Sequence, residues 1–194
     1  MRDSRLDMAE IDRSIVQALR WGEEQAYALV IDELHAPVYR FLLRLSRNSG
    51  VAEDLTQETF IAFWQGIGSF RGRSRFKTWV FGIAYRQFLR HKDKRIVETV
   101  ELVDSDLSDP SDLSELVEES QERARIRQAV YALPNQYREV VCLVYLDGLT
   151  YRECAGVLSI PVGTAKSRMN SAFKLLREEL SESEVQDDEM RQTA

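Results

Sequence analysis

Leu149–Leu180 reads Leu-Thr-Tyr-Arg-Glu-Cys-Ala-Gly-Val-Leu-Ser-Ile-Pro-Val-Gly-Thr-Ala-Lys-Ser-Arg-Met-Asn-Ser-Ala-Phe-Lys-Leu-Leu-Arg-Glu-Glu-Leu. Thr150 can cap a short helix that buries Tyr151, Ala155 and Leu158 at offsets i, i+4 and i+7. Ser159-Ile160 makes a turn. Pro161 suits the first position of a second helix, where a missing N–H costs nothing. There Val162, Ala165, Met169, Ala172 and Leu176 alternate by three and four, which makes one buried stripe. Gly163, Ser167, Asn170, Ser171 and Lys174 lie opposite, with Lys166 and Arg168 on the flanks. Small residues let a backbone approach a major groove, and Lys and Arg reach phosphates or base acceptors. The same face is also what a solvated basic helix shows. The short helix, tight turn and long basic helix together favour a helix-turn-helix that reads duplex DNA.

The net charge of −6 runs against that reading until it is divided along the 194 residues. Residues 1–37 carry −4, 38–95 carry +8, 96–122 carry −10, 123–180 carry +4 and 181–194 carry −4. DNA feels the local field, so two basic blocks parted by an acidic one are compatible with a binder. The length allows one large or two small domains. No apolar run is long enough to span a membrane and no signal-peptide pattern opens the chain, so a soluble, cytoplasmic protein is expected. Cys142 and Cys154 fall on predicted helices without ligand spacing and read as buried thiols; His35 and His91 are isolated. No metal and no cofactor is expected.

Upstream, the pattern is helical throughout. Residues 1–9 read as disordered. Ile11, Ile15, Ala18 and Leu19 share a face that ends at Trp21-Gly22. Helical segments follow over about 23–34 and 38–47, with Pro37 interrupting or kinking them and Phe41, Leu42 and Leu45 inward. A break at Asn48-Ser49-Gly50 precedes a helix from Val51 whose buried side is Thr56, Phe60, Phe63, Trp64 and Ile67. Asp54, Gln57, Glu58, Ile61 and Gln65 share its other side, which suits either a protein partner or a solvated face with one stray isoleucine. The Gly-, Ser- and Arg-rich loop 66–75 leads into a helix over 76–94. Val80, Ile83, Ala84, Gln87 and Phe88 can face its core. Trp79, Gly82, Arg86 and Arg90 make a second stripe beside Tyr85. Aromatics stack on unpaired bases for about 1–3 kcal/mol each while cations track phosphates. The basic run Arg71, Arg73, Arg75 and Lys77 favours single-stranded nucleic acid there; Trp79 also fits a core.

Residues 96–122 lack Lys and Arg and read as a flexible acidic linker, or as a DNA-like strap over a basic surface. Beyond it a helix runs through Arg127 to Leu133. Pro134 opens another with Tyr137, Val140, Val141, Val144 and Tyr145 inward, and Asp147-Gly148 ends it. Residues 181–194 read as a disordered tail. With no strand-like alternation, the fold class is all-α: two small helical domains, the second containing the helix-turn-helix. The domains expected are 10–95 and 123–180.

A duplex reader tethered to a surface for unpaired bases is suited to opening a promoter. Three stretches carry a family resemblance: Ala-Glu-Asp-Leu-Thr-Gln-Glu-Thr-Phe at Ala52–Phe60, Phe-Arg-Gly-Arg-Ser-Arg-Phe-Lys-Thr-Trp at Phe70–Trp79, and Gly148–Arg168. In this order and separation they resemble bacterial sigma factors of the extracytoplasmic-function type in the sigma-70 family, over about residues 10–180. The resemblance implies a non-enzymatic initiation factor that binds core RNA polymerase and reads promoter DNA. It places Asp54, Gln57, Glu58 and Ile61 on the β′ clamp helices. It places Phe70, Arg71, Arg73, Arg75, Phe76, Lys77, Trp79, Arg86 and Arg90 at the −10 element and melted strand. It places Thr164, Lys166, Ser167, Arg168, Ser171 and Lys174 at the −35 element. It further implies contact with the β flap, a linker in the RNA exit path and an anti-sigma partner. Four departures stand out. Arg86 replaces a usual asparagine, Gly82 a common arginine, and Ser159 the usual turn glycine, which calls for a different local geometry. Asn170-Ser171-Ala172-Phe173 replaces a more basic run. The competing readings fare worse. A free-standing operator-binding regulator leaves Asp54–Arg90 unexplained, and a nuclease would need a carboxylate or histidine cluster in a basic pocket.

Overall fold

A computed structural model describes residues 8–99 and 121–192. The segment 1–7 and most of the expected linker lie outside the described residues. All regular elements among the described residues are helical, and the chain divides into two compact units on either side of Pro110. No described helix is long and apolar enough to cross a membrane.

In the first unit α1 spans Met8–Arg20, α2 Glu24–Ser46, α3 Ser49–Gly66 and α4 Phe76–Thr99. Pro37 does not divide α2. The helix runs through it, and the roughly 3 kcal/mol that an interior proline costs is offset by the burial of Leu34, Val38, Phe41 and Leu42 around it. Arg47 ends α2 in the left-handed region (φ 58°), its N–H donating to the Leu43 carbonyl at 2.8 Å. The break is two residues wide, Arg47 and Asn48, and Asn48 caps α3 by accepting from the Val51 N–H at 2.9 Å. α3 and α2 both pack on α4. α4 is buried around most of its circumference from Phe76 to Phe88, with Val80, Phe81 and Ala84 fully enclosed. A central helix of this kind shows no clean stripe, so its sequence reads ambiguously. α1 is tied down by the Tyr27 hydroxyl, which donates to the Leu19 carbonyl at 3.1 Å, and by the Arg20 guanidinium, which donates to the Phe70 carbonyl.

In the second unit α5 spans Gln121–Ala132, α6 Asn135–Val141, α7 Tyr151–Leu158 and α8 Val162–Gln192. A π-helical turn, Cys142–Leu146, extends α6. Its wider hydrogen-bond spacing shifts the helical phase from Cys142 onward, which accounts for the first of two departures from the expected inward set. Tyr145 is turned out, 69% exposed, while Arg138 and Glu139 are buried beside Val140 and Val141. The Arg138 guanidinium donates to the Tyr131 carbonyl at 2.9 Å and to the Asn135 side chain. α5, α6 and α7 all pack on α8. Both cysteines are buried thiols, as their helical setting predicts. α8 runs past Leu180 to Gln192, where a disordered tail was expected; the stretch has no Gly or Pro and is rich in Glu and Gln, which a helix tolerates well.

The turn between α7 and α8 corrects another expectation. Ser159 takes the left-handed conformation itself (φ 55°, ψ 42°), so the geometry is the one a glycine would adopt. Its N–H donates to the Ala155 carbonyl and closes α7. Thr150 caps α7 as expected. Glu153 completes a capping box, its carboxylate accepting from the Thr150 N–H at 2.8 Å. Pro161 stands one residue ahead of α8, its carbonyl accepting the first helical bond from Ala165 at 3.1 Å.

Candidate nucleic-acid interface and docking face

α3 presents one chemically distinct face. Ala52, Leu55, Thr56, Thr59 and Phe63 point into the core, with both threonine hydroxyls satisfied by donation to their own helix at 2.6 Å. The opposite side carries Asp54, Gln57, Glu58 and Ile61, all exposed, at offsets i, i+3, i+4 and i+7. Ile61 is 57% exposed. Trp64 was expected inside. It is 55% exposed, one turn beyond Ile61, and stacks on Tyr27 of α2. The sequence signal for this was present: Trp64 continues the 54, 57, 61 stripe as well as it fits the 60, 63, 67 one.

The loop after α3 is anchored by aromatics. Phe70 and Phe76 are buried with Phe63 and half-buried Trp79; Phe70–Trp79 centroids lie 5.0 Å apart, Phe70–Phe76 5.6 Å and Phe63–Phe76 5.7 Å. Phe70 and Phe76, expected at the melted strand, therefore hold the loop from beneath. Between them Arg71, Arg73 and Arg75 are exposed, and Gly72 supplies the positive φ of the turn (65°). Lys77 is half-buried with its Nζ 5.6 Å from the centre of the Phe81 ring. A groove of about 200 Å³ opens beside Trp79, bounded by Ile83, Arg86, Gln87 and Arg90. Arg90 donates to the Gln87 side chain at 3.3 Å, and Gln87 donates to the Glu58 carbonyl at 3.4 Å. Desolvation first, and the neighbouring Arg90 charge second, hold the Arg86 pKa below its usual value. Two cations bordering one groove favour an anion between them. The Arg86 guanidinium lies over Gly82, its Nη1 3.5 Å from where a Cβ there would stand, which is ordinary van der Waals contact.

On α8 the buried stripe is Ala165, Met169 and Ala172, with Leu176 half-buried and Val162 38% exposed. Lys166, Ser167, Asn170 and Lys174 are exposed; Thr164 and Ser171 are half-buried. The Ser167 hydroxyl donates to the Thr164 carbonyl at 3.0 Å, and Lys174 Nζ lies 3.9 Å from Glu178. Arg168 is placed differently from the rest. Its side chain is 25% exposed and its Nη1 lies 4.0 Å from the Glu139 carboxylate. Glu139 was not singled out from the sequence; an acid at the edge of an apolar run, Val140-Val141-Cys142-Leu143, was the available hint.

Residues 30–95 match the model of sigma-70 region 2, and residues 123–176 match sigma-70 region 4. The chain is 30% identical over 176 residues to the ECF RNA polymerase sigma factor SigW of Bacillus subtilis, covering 85% of this chain and 94% of that protein. It is 30% identical over 172 residues to the ECF RNA polymerase sigma-E factor of Escherichia coli, covering 81% and 88%. The structure is similar to that of the sigma factor RpoE of Bartonella quintana, solved in complex with the anti-sigma factor NepR. The TM-score is 0.69 and the identity 25%, over 80% of this chain and 96% of that one. The chain belongs to the extracytoplasmic-function group of the sigma-70 family. It directs promoter-specific initiation of transcription, acting with core RNA polymerase on promoter DNA.

Proposed function

We propose that the two units divide promoter recognition and that the first unit also recruits the enzyme. The α3 face of Asp54, Gln57, Glu58, Ile61 and Trp64 docks on the β′ clamp helices of core polymerase. The loop cations Arg71, Arg73 and Arg75 and the groove of Trp79, Arg86 and Arg90 receive the melted −10 strand, with Lys77 at their edge. Phe70 and Phe76 support that surface. In the second unit Thr164, Lys166, Ser167, Ser171 and Lys174 of α8 meet the −35 duplex, and the unit also rests on the β flap. The chain carries out no chemistry of its own; nucleotide addition belongs to the polymerase. It acts in the cytoplasm, where an anti-sigma protein holds it inactive, as NepR binds the Bartonella quintana factor.

One observation carries this division. α3 and α4 pack together, yet the exposed side of α3 is acidic and apolar while α4 and its loop are cationic. A phosphate backbone is repelled by the first and drawn to the second. An exposed Ile61–Trp64 stripe among acids has the aromatic-centred composition of a protein interface.

Pull-down of core polymerase tests the assignment. Charge reversal at Asp54 and Glu58 should abolish capture of core enzyme, while Lys166→Ala leaves capture unchanged. Capture that survives the charge reversal, or is lost with Lys166→Ala, overturns the division.

A further inference from the structure

Lys166 and Arg168 are both basic and only two residues apart on α8, so they project about 200° apart, on opposite flanks. The Arg168 flank faces α6, which packs on α8. There its guanidinium meets Glu139, whose side chain is only 10% exposed. We propose that Glu139 is a positioning residue for duplex recognition: it holds the Arg168 guanidinium against α6 and so keeps it out of the phosphate-contacting set, leaving Lys166 and Lys174 as the cations that α8 offers to the duplex. This rests on the reading of α8 as the −35 helix.

Desolvation decides between this and a phosphate contact. Withdrawing a cation from a buried carboxylate costs far more than breaking an exposed pair. The Lys174–Glu178 pair is of the exposed kind, with side chains 80% and 56% exposed, so Lys174 leaves for a phosphate at little cost. Arg168 does not. The fully buried Cys154 of α7 feels both charges. Burial first and Glu139 second push its thiol up to about 12, with Arg168 opposing, so Cys154 lies within electrostatic reach of the pair.

The salt dependence of holoenzyme binding to a −35-containing duplex reads this directly, because each phosphate contact contributes about 0.9 to the slope of log K against log salt. Arg168→Gln should leave the slope at the wild-type value. Glu139→Gln, which removes the charge at constant shape, should steepen it by about 0.9 as Arg168 is released, and adding Arg168→Gln should restore the wild-type slope. A merely structural pair would change the melting temperature without moving the slope. A slope lowered by about 0.9 in Arg168→Gln, or unchanged in Glu139→Gln, overturns the proposal. Should either single variant fail to fold, the double variant decides: a wild-type slope supports the proposal and a lowered one overturns it. Lys166→Ala separates the two layers. If it lowers the slope and Arg168→Gln does too, only the positioning role falls. If it leaves the slope unchanged, the −35 reading of α8 falls and takes the positioning role with it.

Discussion

Tyr27 and Trp64 stack with ring centroids 3.9 Å apart and planes 26° from parallel, yet the tryptophan remains 55% exposed. One face of the indole is held by α2 and the rest is offered to solvent. The ring is thus pre-oriented, and a partner that covers it orders little that is not already ordered.

Trp64→Ala should therefore weaken core polymerase binding by at least about tenfold, in the range of an aromatic interface anchor. The fold loses only the stacking on Tyr27, about 0.5–1.5 kcal/mol. Titration of labelled factor into core enzyme, with a urea melt alongside, checks both. An affinity within a factor of two of wild type would remove Trp64 from the interface.

Arg86 and Arg90 border the groove beside Trp79. Replacing both with alanine should reduce open-complex formation and binding of a −10 non-template single strand. Capture of core enzyme should be unchanged, because the Asp54–Trp64 face is untouched. Permanganate reactivity of the −10 thymines measures the first effect. Undiminished reactivity would move the strand elsewhere.

Ser159 sits at φ 55°, which costs a side-chain-bearing residue about 1–2 kcal/mol. Ser159→Gly should stabilise the second unit by about 0.5–1 kcal/mol, since glycine returns part of that gain as unfolded-state entropy. Conversely, Thr150→Ala removes half of the capping box and should cost about 1 kcal/mol. Chemical unfolding of the full chain resolves both signs.

The Cys154 thiol is raised from an ordinary 9.0 to about 12, chiefly by burial and then by Glu139. Its native state thus holds the proton over a range in which the unfolded chain has released it. The sign follows: the contribution is fully present below pH 9.0 and is lost as pH rises from 9.0 towards 12. Stability should fall over that window, and alkylation of Cys154 at pH 8 should proceed only through unfolding. Cys154→Ser should flatten the alkaline limb; an unchanged limb would contradict this.

The parts of the molecule that were legible in the sequence are those with one buried stripe. α7 and α8 follow directly from Thr150, Ala155, Leu158, Ala165, Met169 and Ala172, because each helix packs on one side only. α4 was half legible: Val80, Ala84 and Phe88 face inward as expected, but neighbours on several sides also bury Phe81 and Tyr85. The side chains whose setting was not legible each have a separate cause. Phe70 and Phe76 flank exposed arginines, and composition alone cannot distinguish an aromatic that stacks on a base from one that anchors the loop beneath it. Trp64 satisfies two stripes at once. Arg138 and Glu139 are buried because α6 and its extension are enclosed on all sides over residues 138–143, so no one-sided 3.6 periodicity anticipates which charges go inside. Arg168 lies on the flank where the sequence put it, but its partner is a carboxylate of another helix, which spacing along α8 does not reveal.

The most direct measurement is promoter-dependent transcription reconstituted from core polymerase, this chain and a library of host promoter fragments. Wild-type protein should yield discrete transcripts that core enzyme alone does not make. The Asp54 and Glu58 charge reversal should abolish them together with core binding, and Lys166→Ala should reduce them with core binding intact. Absence of any factor-dependent transcript, or full activity of the charge-reversed protein, would contradict the account.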